Sequence, residues 1–229
     1  MIARNYPFKC KLLNIMLLST LYIVGITAEA MTGALAAGRR NMDWFGVMLV
    51  AACTAIGGGT VRDILLGHYP LGWVANPHYL VIVCVAGIIT TWMASWVARN
   101  HKLFVWLDSL GLIAFSIIGC RVGMDMGLSP LICVVSALVT GIFGGLLRDL
   151  LCRRQPMVLH KELYASVAFL AGAMYWMLMT YGNQFGIDEN IATISTLVTG
   201  FVFRMSAVKF GWSLPVFSFE AEEVLEHRS

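Results

Sequence analysis

Arg62 and Asp63 stand side by side in "AIGGGTVRDILLGHYP", residues 55–70, directly after Gly57, Gly58 and Gly59. The same pair recurs as Arg148 and Asp149, after Phe143, Gly144 and Gly145. A guanidinium beside a carboxylate in an apolar run can attract, hold or repel a small ion. Glycine runs offer another chemistry. Where a helix loosens at membrane depth, the freed carbonyls at the negative end of a half-helix can ligate a cation. Two more carboxylates, Glu29 and Asp108, fall inside apolar stretches, where an ionisable group is costly and marks a functional candidate by default. Each feature also has a plain structural reading. Glycines are common close-packing contacts between membrane helices, and arginines near helix ends snorkel to the headgroups. Thr27, Thr32 and Ser109 could satisfy the two lone acids by hydrogen bonding.

These residues are carried by a chain in which 59% of residues are hydrophobic and 13% are charged, with a mean hydropathy of +0.76. Soluble domains carry roughly 25% charged residues, so this chain cannot clothe a water-facing globule. It instead contains seven apolar stretches near the roughly 20 residues needed to cross a bilayer: 12–37, 44–66, 79–97, 103–120, 131–152, 163–180 and 191–208. The spacing predicts an all-α integral membrane protein of seven helices. Ala28-Glu29-Ala30 after a basic tail mimics a signal-peptide cleavage site, but the apolar run continues past it, and the segment is read as a retained helix.

Six cysteines and five histidines show neither a CxxC pair nor metal-ligand spacing, so no metal site and no cofactor is expected. HExxH and GxSxG are absent, which argues against an intramembrane enzyme. Nothing points to nucleic acid. Arg39, Arg40, Arg99, Lys102, Arg153, Arg154, Lys161 and Lys209 fall on one side of the predicted helices, and Arg4, Lys9, Lys11 and Arg121 on the other. The excess of basic loops predicts a cytoplasmic C-terminus and an outside N-terminus.

The chain also contains itself twice. Residues 54–70 laid over 140–156 match at eight of 17 positions, including both Arg-Asp pairs and the closing proline. This divides the chain into a three-helix repeat at 12–98, a second at 103–181, a seventh helix at 187–210 and a flexible tail at 211–229. Three crossings return the chain to the opposite side, so the second repeat is expected inverted, a pattern that points to a binding site or pathway at matching broken helices. Residues 44–56 reach only about 20 Å before the first glycines, and a kink or unwound turn is expected there and again at 143–145. Because neighbouring residues on a helix point about 100° apart, the members of each Arg-Asp pair are expected to need separate partners. Arg204 is a candidate partner for Glu29 or Asp108.

"GITAEAMTGALAAGRRNMDWFGV", "AIGGGTVRDILLGHYPLGW", "DSLGLIAFSIIG", "GIFGGLLRDLL" and "KELYA" together resemble the bacterial glycine-transporter-domain family, which is similar in fold to the trimeric intracellular cation (TRIC) channels. The resemblance runs from about Leu12 to Pro215. It implies a homotrimer in the bacterial inner membrane, in contact with membrane lipids. Each protomer would have its own path for monovalent cations, potassium first, flanked by helices two and five. Gly57, Gly58, Gly59, Gly144 and Gly145 take the kink positions, and Arg62, Asp63, Arg148 and Asp149 the charged ones. Phe143 departs from the commoner third glycine, and Glu29 stands where many relatives carry an aromatic residue. The family name also implies an alternative, a carrier for a small zwitterion such as glycine.

Overall fold

The computed structural model describes residues 8–98, 101–160 and 163–215. The N-terminal residues before these, and most of the tail expected at 211–229, lie outside the described residues. Seven helices of 18 residues or more run through the described chain: α1 (Phe8–Gly38), α2 (Trp44–Leu66), α3 (His78–Ala98), α4 (His101–Asp125), α5 (Pro130–Leu151), α6 (Tyr164–Tyr181) and α7 (Glu189–Phe210). Single-turn helices at Gly72–Ala75 and Met157–His160 follow α2 and α5. Among the described residues five spans are long and apolar enough to cross a membrane: Met16–Gly38, Trp44–Leu66, Lys102–Asp125, Pro130–Leu151 and Glu189–Phe210.

Local chemistry sets the helix ends. Asp43 caps α2 by accepting from the Gly46 N–H at 2.7 Å, and Asp188 caps α7 by accepting from the Ile191 N–H at 2.8 Å. Gly67 ends α2 in the left-handed region, at φ 67°, where a side chain would be strained. Pro130 opens α5 at the position where its missing N–H is harmless.

The packing repeats itself. Helix α1 lies against α2 and α3 as α4 lies against α5 and α6, while α2 meets α5 and α1 meets α4 across the centre. Helix α7 joins the second set, against α4 and α6. Buried faces are built from small residues such as Ala30, Ala51, Ala114, Ala137 and Ala168, which let helix backbones approach closely. Large apolar side chains such as Phe45 and Trp92 face outward, as an apolar solvent allows.

The unwound turns expected at the glycines are not there. Both α2 and α5 stay α-helical through residues 57–59 and 143–145, so no freed carbonyls are offered at those positions. The energies explain this. Three glycines weaken a helix by roughly 3 kcal/mol in total, whereas each backbone group left unsatisfied in hydrocarbon costs several kcal/mol. The intact helix wins.

Candidate functional site

What the glycines supply is proximity. A methyl group built on Gly58 would sit 2.3 Å from the Thr140 carbonyl oxygen, and one on Gly144 would sit 2.3 Å from the Thr54 carbonyl oxygen. Helices α2 and α5 therefore touch backbone to backbone, in a contact that reads the same from either repeat. Gly57 abuts Leu147, with a methyl position 2.5 Å from its Cδ1. The third glycine of each run differs. Gly59 has only Arg62 Nη2 near its methyl position, at 3.7 Å, and Gly145 has the Tyr164 hydroxyl at 3.0 Å and Arg148 Nη2 at 3.5 Å. Gly57, Gly58 and Gly144 are packing glycines; Gly59 and Gly145 keep room beside a guanidinium. Phe143 is half-buried.

One turn beyond the crossing, each arginine folds back on its own neighbour. Arg62 donates from Nε and Nη2 to Asp63 Oδ1 at 3.0 and 2.7 Å, and Arg148 donates from Nε to Asp149 Oδ1 at 3.0 Å. The expectation of separate partners is thus corrected: the arginine side chain is long enough to curl back across the angle between adjacent positions. The second carboxylate oxygen of each aspartate accepts a backbone N–H from the following single-turn helix, Gly72 for Asp63 at 3.2 Å and Met157 for Asp149 at 3.0 Å. Each motif therefore staples the end of its helix to the loop that follows.

The two sites then diverge. Arg148 is fully buried, which removes snorkelling as its explanation. Its Nη1 donates to Asp108 Oδ1 at 2.7 Å and to Thr32 Oγ1 at 3.2 Å, and lies 3.9 Å from Glu29 Oε2. The Thr32 hydroxyl in turn donates to Glu29 Oε2 at 2.9 Å, and the Tyr164 hydroxyl donates to Asp108 Oδ1 at 3.4 Å. Phe104 covers the guanidinium face at 4.9 Å. Arg148 Nη2 is buried without a hydrogen-bond partner among the described residues. One guanidinium thus serves three buried carboxylates, Glu29, Asp108 and Asp149. A charge taken out of water is tolerable only with partners of this kind.

Counting back by the repeat offset shows what the other half holds. Tyr22 stands where Asp108 does, and Phe115 where Glu29 does. Tyr22 pairs with the Tyr79 ring at 4.6 Å within electrostatic reach of Arg62 and Asp63. Glu29 fits because Gly111 leaves space for it, a methyl there falling 2.2 Å from Glu29 Oε1. The mirrored Gly25 faces Phe115 instead, at 3.1 Å. At these mirrored positions the Arg148 half carries two carboxylates where the Arg62 half carries two aromatic rings.

A cavity of about 750 Å³ opens at the carboxylate-rich end between α4, α7 and the segment after α5. Asp108 and Asp149 line it, so the Arg148 cluster borders this space. Arg39, Lys102, Arg154, Arg204 and Lys209 contribute the opposite charge. Burial and then the like charge of Arg154 lower the pKa of Arg39 from its ordinary value. Arg204 lines the same cavity as Asp108 and sits over the Tyr164 ring at 5.0 Å. Among the described residues no three His, Cys, Asp or Glu side chains are arranged to hold a metal ion.

Sequence reasoning named both arginines, both adjacent aspartates, Glu29 and Asp108, and the structure brings Glu29, Asp108, Arg148 and Asp149 together. It missed Tyr164, Phe104 and the space that Gly111 leaves for Glu29, while Thr32 is a hydroxyl it offered to that acid. The repeat offset that lays Gly25 on Gly111 also lays Tyr22 on Asp108. No sequence signal points to Phe104.

Comparison with known proteins agrees with this geometry. The family model described as "Glycine transporter" matches residues 19–95 and again 105–180. The UPF0126 inner membrane protein YadS of Escherichia coli is 34% identical over 209 residues, spanning 90% of this chain and 98% of its own. Among solved structures, the TRIC trimeric intracellular cation channel orthologue from Rhodobacter sphaeroides superposes with a TM-score of 0.79 at 32% identity, covering 85% of this chain and 98% of that one. A prokaryotic TRIC channel in 0.5 M KCl gives a TM-score of 0.78 at 29% identity, over 87% and 100% of the two chains. The fold is TRIC-like, and the chain belongs to the glycine transporter family of membrane proteins.

Proposed function

We propose that the protein is a multi-pass channel of the bacterial inner membrane that passes monovalent cations, potassium among them, through a path within each protomer. The observation that carries this reading is the position of Asp108 and Asp149, which bind a fully buried arginine and also line the 750 Å³ cavity. Carboxylates at membrane depth that border a cavity are candidates for meeting a cation there. The likeness to channels described as trimeric and cation-conducting supports the same reading and a homotrimer.

In this account all seven long helices cross the membrane, the repeats at 12–98 and 103–181 are inverted, 187–210 is the seventh crossing, and the cavity end faces the cytoplasm with the C-terminus. Gly58 and Gly144 hold α2 and α5 together, while Gly59 and Gly145 leave the path room beside Arg62 and Arg148. Phe143, in place of a third glycine, narrows the second run. Glu29 adds charge to the inner half alone. A second reading, carriage of a small zwitterion, draws on the unmatched Arg148 Nη2 donor beside carboxylates, which could meet a carboxylate and an ammonium together. Purified protein in a planar bilayer separates the two. Discrete potassium conductance steps are expected; silence with saturable uptake of labelled glycine would establish the carrier instead.

A further inference from the structure

We propose that His68 makes the conductance sensitive to pH on the Asp63 side alone, an inference that rests on the cation-channel reading. His68 follows the Gly67 cap, and its N–H donates to the Asp63 carbonyl at 2.8 Å. That bond fixes the root of the side chain over Asp63. The ring Nδ1 then lies 3.0 Å from Asp63 Oδ1. The histidine side chain is 42% exposed and the aspartate 1%, so the ring meets water while it holds a buried carboxylate.

The other repeat shows what the position is for. Offset by the repeat, His68 falls on Arg154, whose N–H donates to the Asp149 carbonyl at the same 2.8 Å. Both aspartates hold their neighbouring arginine and a backbone N–H from the next single-turn helix. The cavity end therefore carries a permanent cation, Arg154, where the opposite end carries a histidine, whose residue type changes charge between about pH 5 and 8. With His68 neutral, the Arg62-Asp63-His68 group sums to zero; with His68 protonated it sums to one positive charge. Protonation gives Arg62-Asp63-His68 the same summed charge as Arg148-Asp149-Arg154 and sets an added cation at the Asp63 end of the path.

The neighbouring elements contribute few other titrating groups. On α2 these are Arg62 and Asp63, on α1 Tyr22, and at the start of α3 His78 and Tyr79, with the His78 and Tyr79 rings 4.3 Å apart. Tyrosine, arginine and aspartate as residue types keep their charge between about pH 5 and 8, which leaves His68 and His78. Only His68 contacts the Arg-Asp pair.

The experiment is planar-bilayer recording of potassium current at low salt, with the pH of one chamber stepped from 8 to 5. Wild-type protein should lose conductance about threefold from one side only, the effect of one unit charge acting across roughly 6 Å of water. His68→Gln should hold its conductance across the step, His68→Arg should stay low at both pH values, and His78→Gln should behave as wild type. A wild-type response that persists in His68→Gln, or that vanishes in His78→Gln, overturns the role of His68 and leaves the channel reading standing. Absence of any unit conductance in wild type at pH 8 overturns both.

Discussion

Replacing Gly58 by alanine places a methyl carbon 2.3 Å from the Thr140 carbonyl oxygen, against about 3.4 Å for an ordinary contact. The obstruction is backbone on a packed helix, so no side chain can swing aside, and α2 and α5 must part by about 1 Å. Alanine recovers about 1 kcal/mol of helix propensity, but overpacking a close contact costs roughly 1–3 kcal/mol, and more where backbone must move. The net expectation is a destabilisation of about 2 kcal/mol, matched by Gly144→Ala at the mirrored contact. Gly59→Ala is the control. Its methyl has only Arg62 Nη2 nearby, at 3.7 Å, so helix stability should hold or rise while the space beside Arg62 shrinks and potassium current falls. Unfolding monitored by helical circular dichroism in detergent, with current measured on the same preparations, reads both quantities. If Gly58→Ala is as stable as wild type, or if Gly59→Ala unfolds first, the division into packing and pathway glycines is wrong.

Gly111→Ala should destabilise the protein by crowding Glu29, its methyl falling 2.2 Å from Glu29 Oε1; adding Glu29→Ala should restore most of the loss, a coupling read as a double-mutant cycle in the same unfolding assay. Arg148→Met should cost about 3–5 kcal/mol, because it leaves Glu29, Asp108 and Asp149 buried without their shared cation. Asp108→Asn should cost less, since a neutral amide still accepts from Arg148 Nη1 and the Tyr164 hydroxyl. Equal losses for the two would show that Arg148 does not organise the cluster.

The fold was legible wherever length and apolarity decided it. Residues 44–66 were read as a helix and are one, from Trp44 to Leu66, because an apolar run of that length has few other ways to satisfy its backbone. The doubled Arg-Asp motif was legible too, since eight identities in 17 positions survive the divergence of the repeats. The unwound turn was misread because glycine propensity is a local quantity, whereas the contact of Gly58 with Thr140 joins elements distant in sequence. The self-pairing of Arg62 with Asp63 was misread because the angle between adjacent positions says nothing of an arginine's reach. The asymmetry of the two ends stayed hidden for another reason. It lies in single exchanges, Glu29 against Phe115 and Asp108 against Tyr22, where the offset aligns the positions but only spatial neighbours reveal what each side chain does.

The central claim is that cations pass through the cavity bounded by Asp108 and Asp149, and chemical block of that space tests it most directly. Ser206 lines the cavity and is partly exposed, so Ser206→Cys in a protein freed of its native cysteines presents a thiol there. A permanently cationic thiol reagent added at the cavity side should reach that thiol and suppress the potassium current by most of its value, while the cysteine-free parent is unaffected. Full modification of the thiol, confirmed by mass, with current unchanged would place the ion path elsewhere and contradict the account.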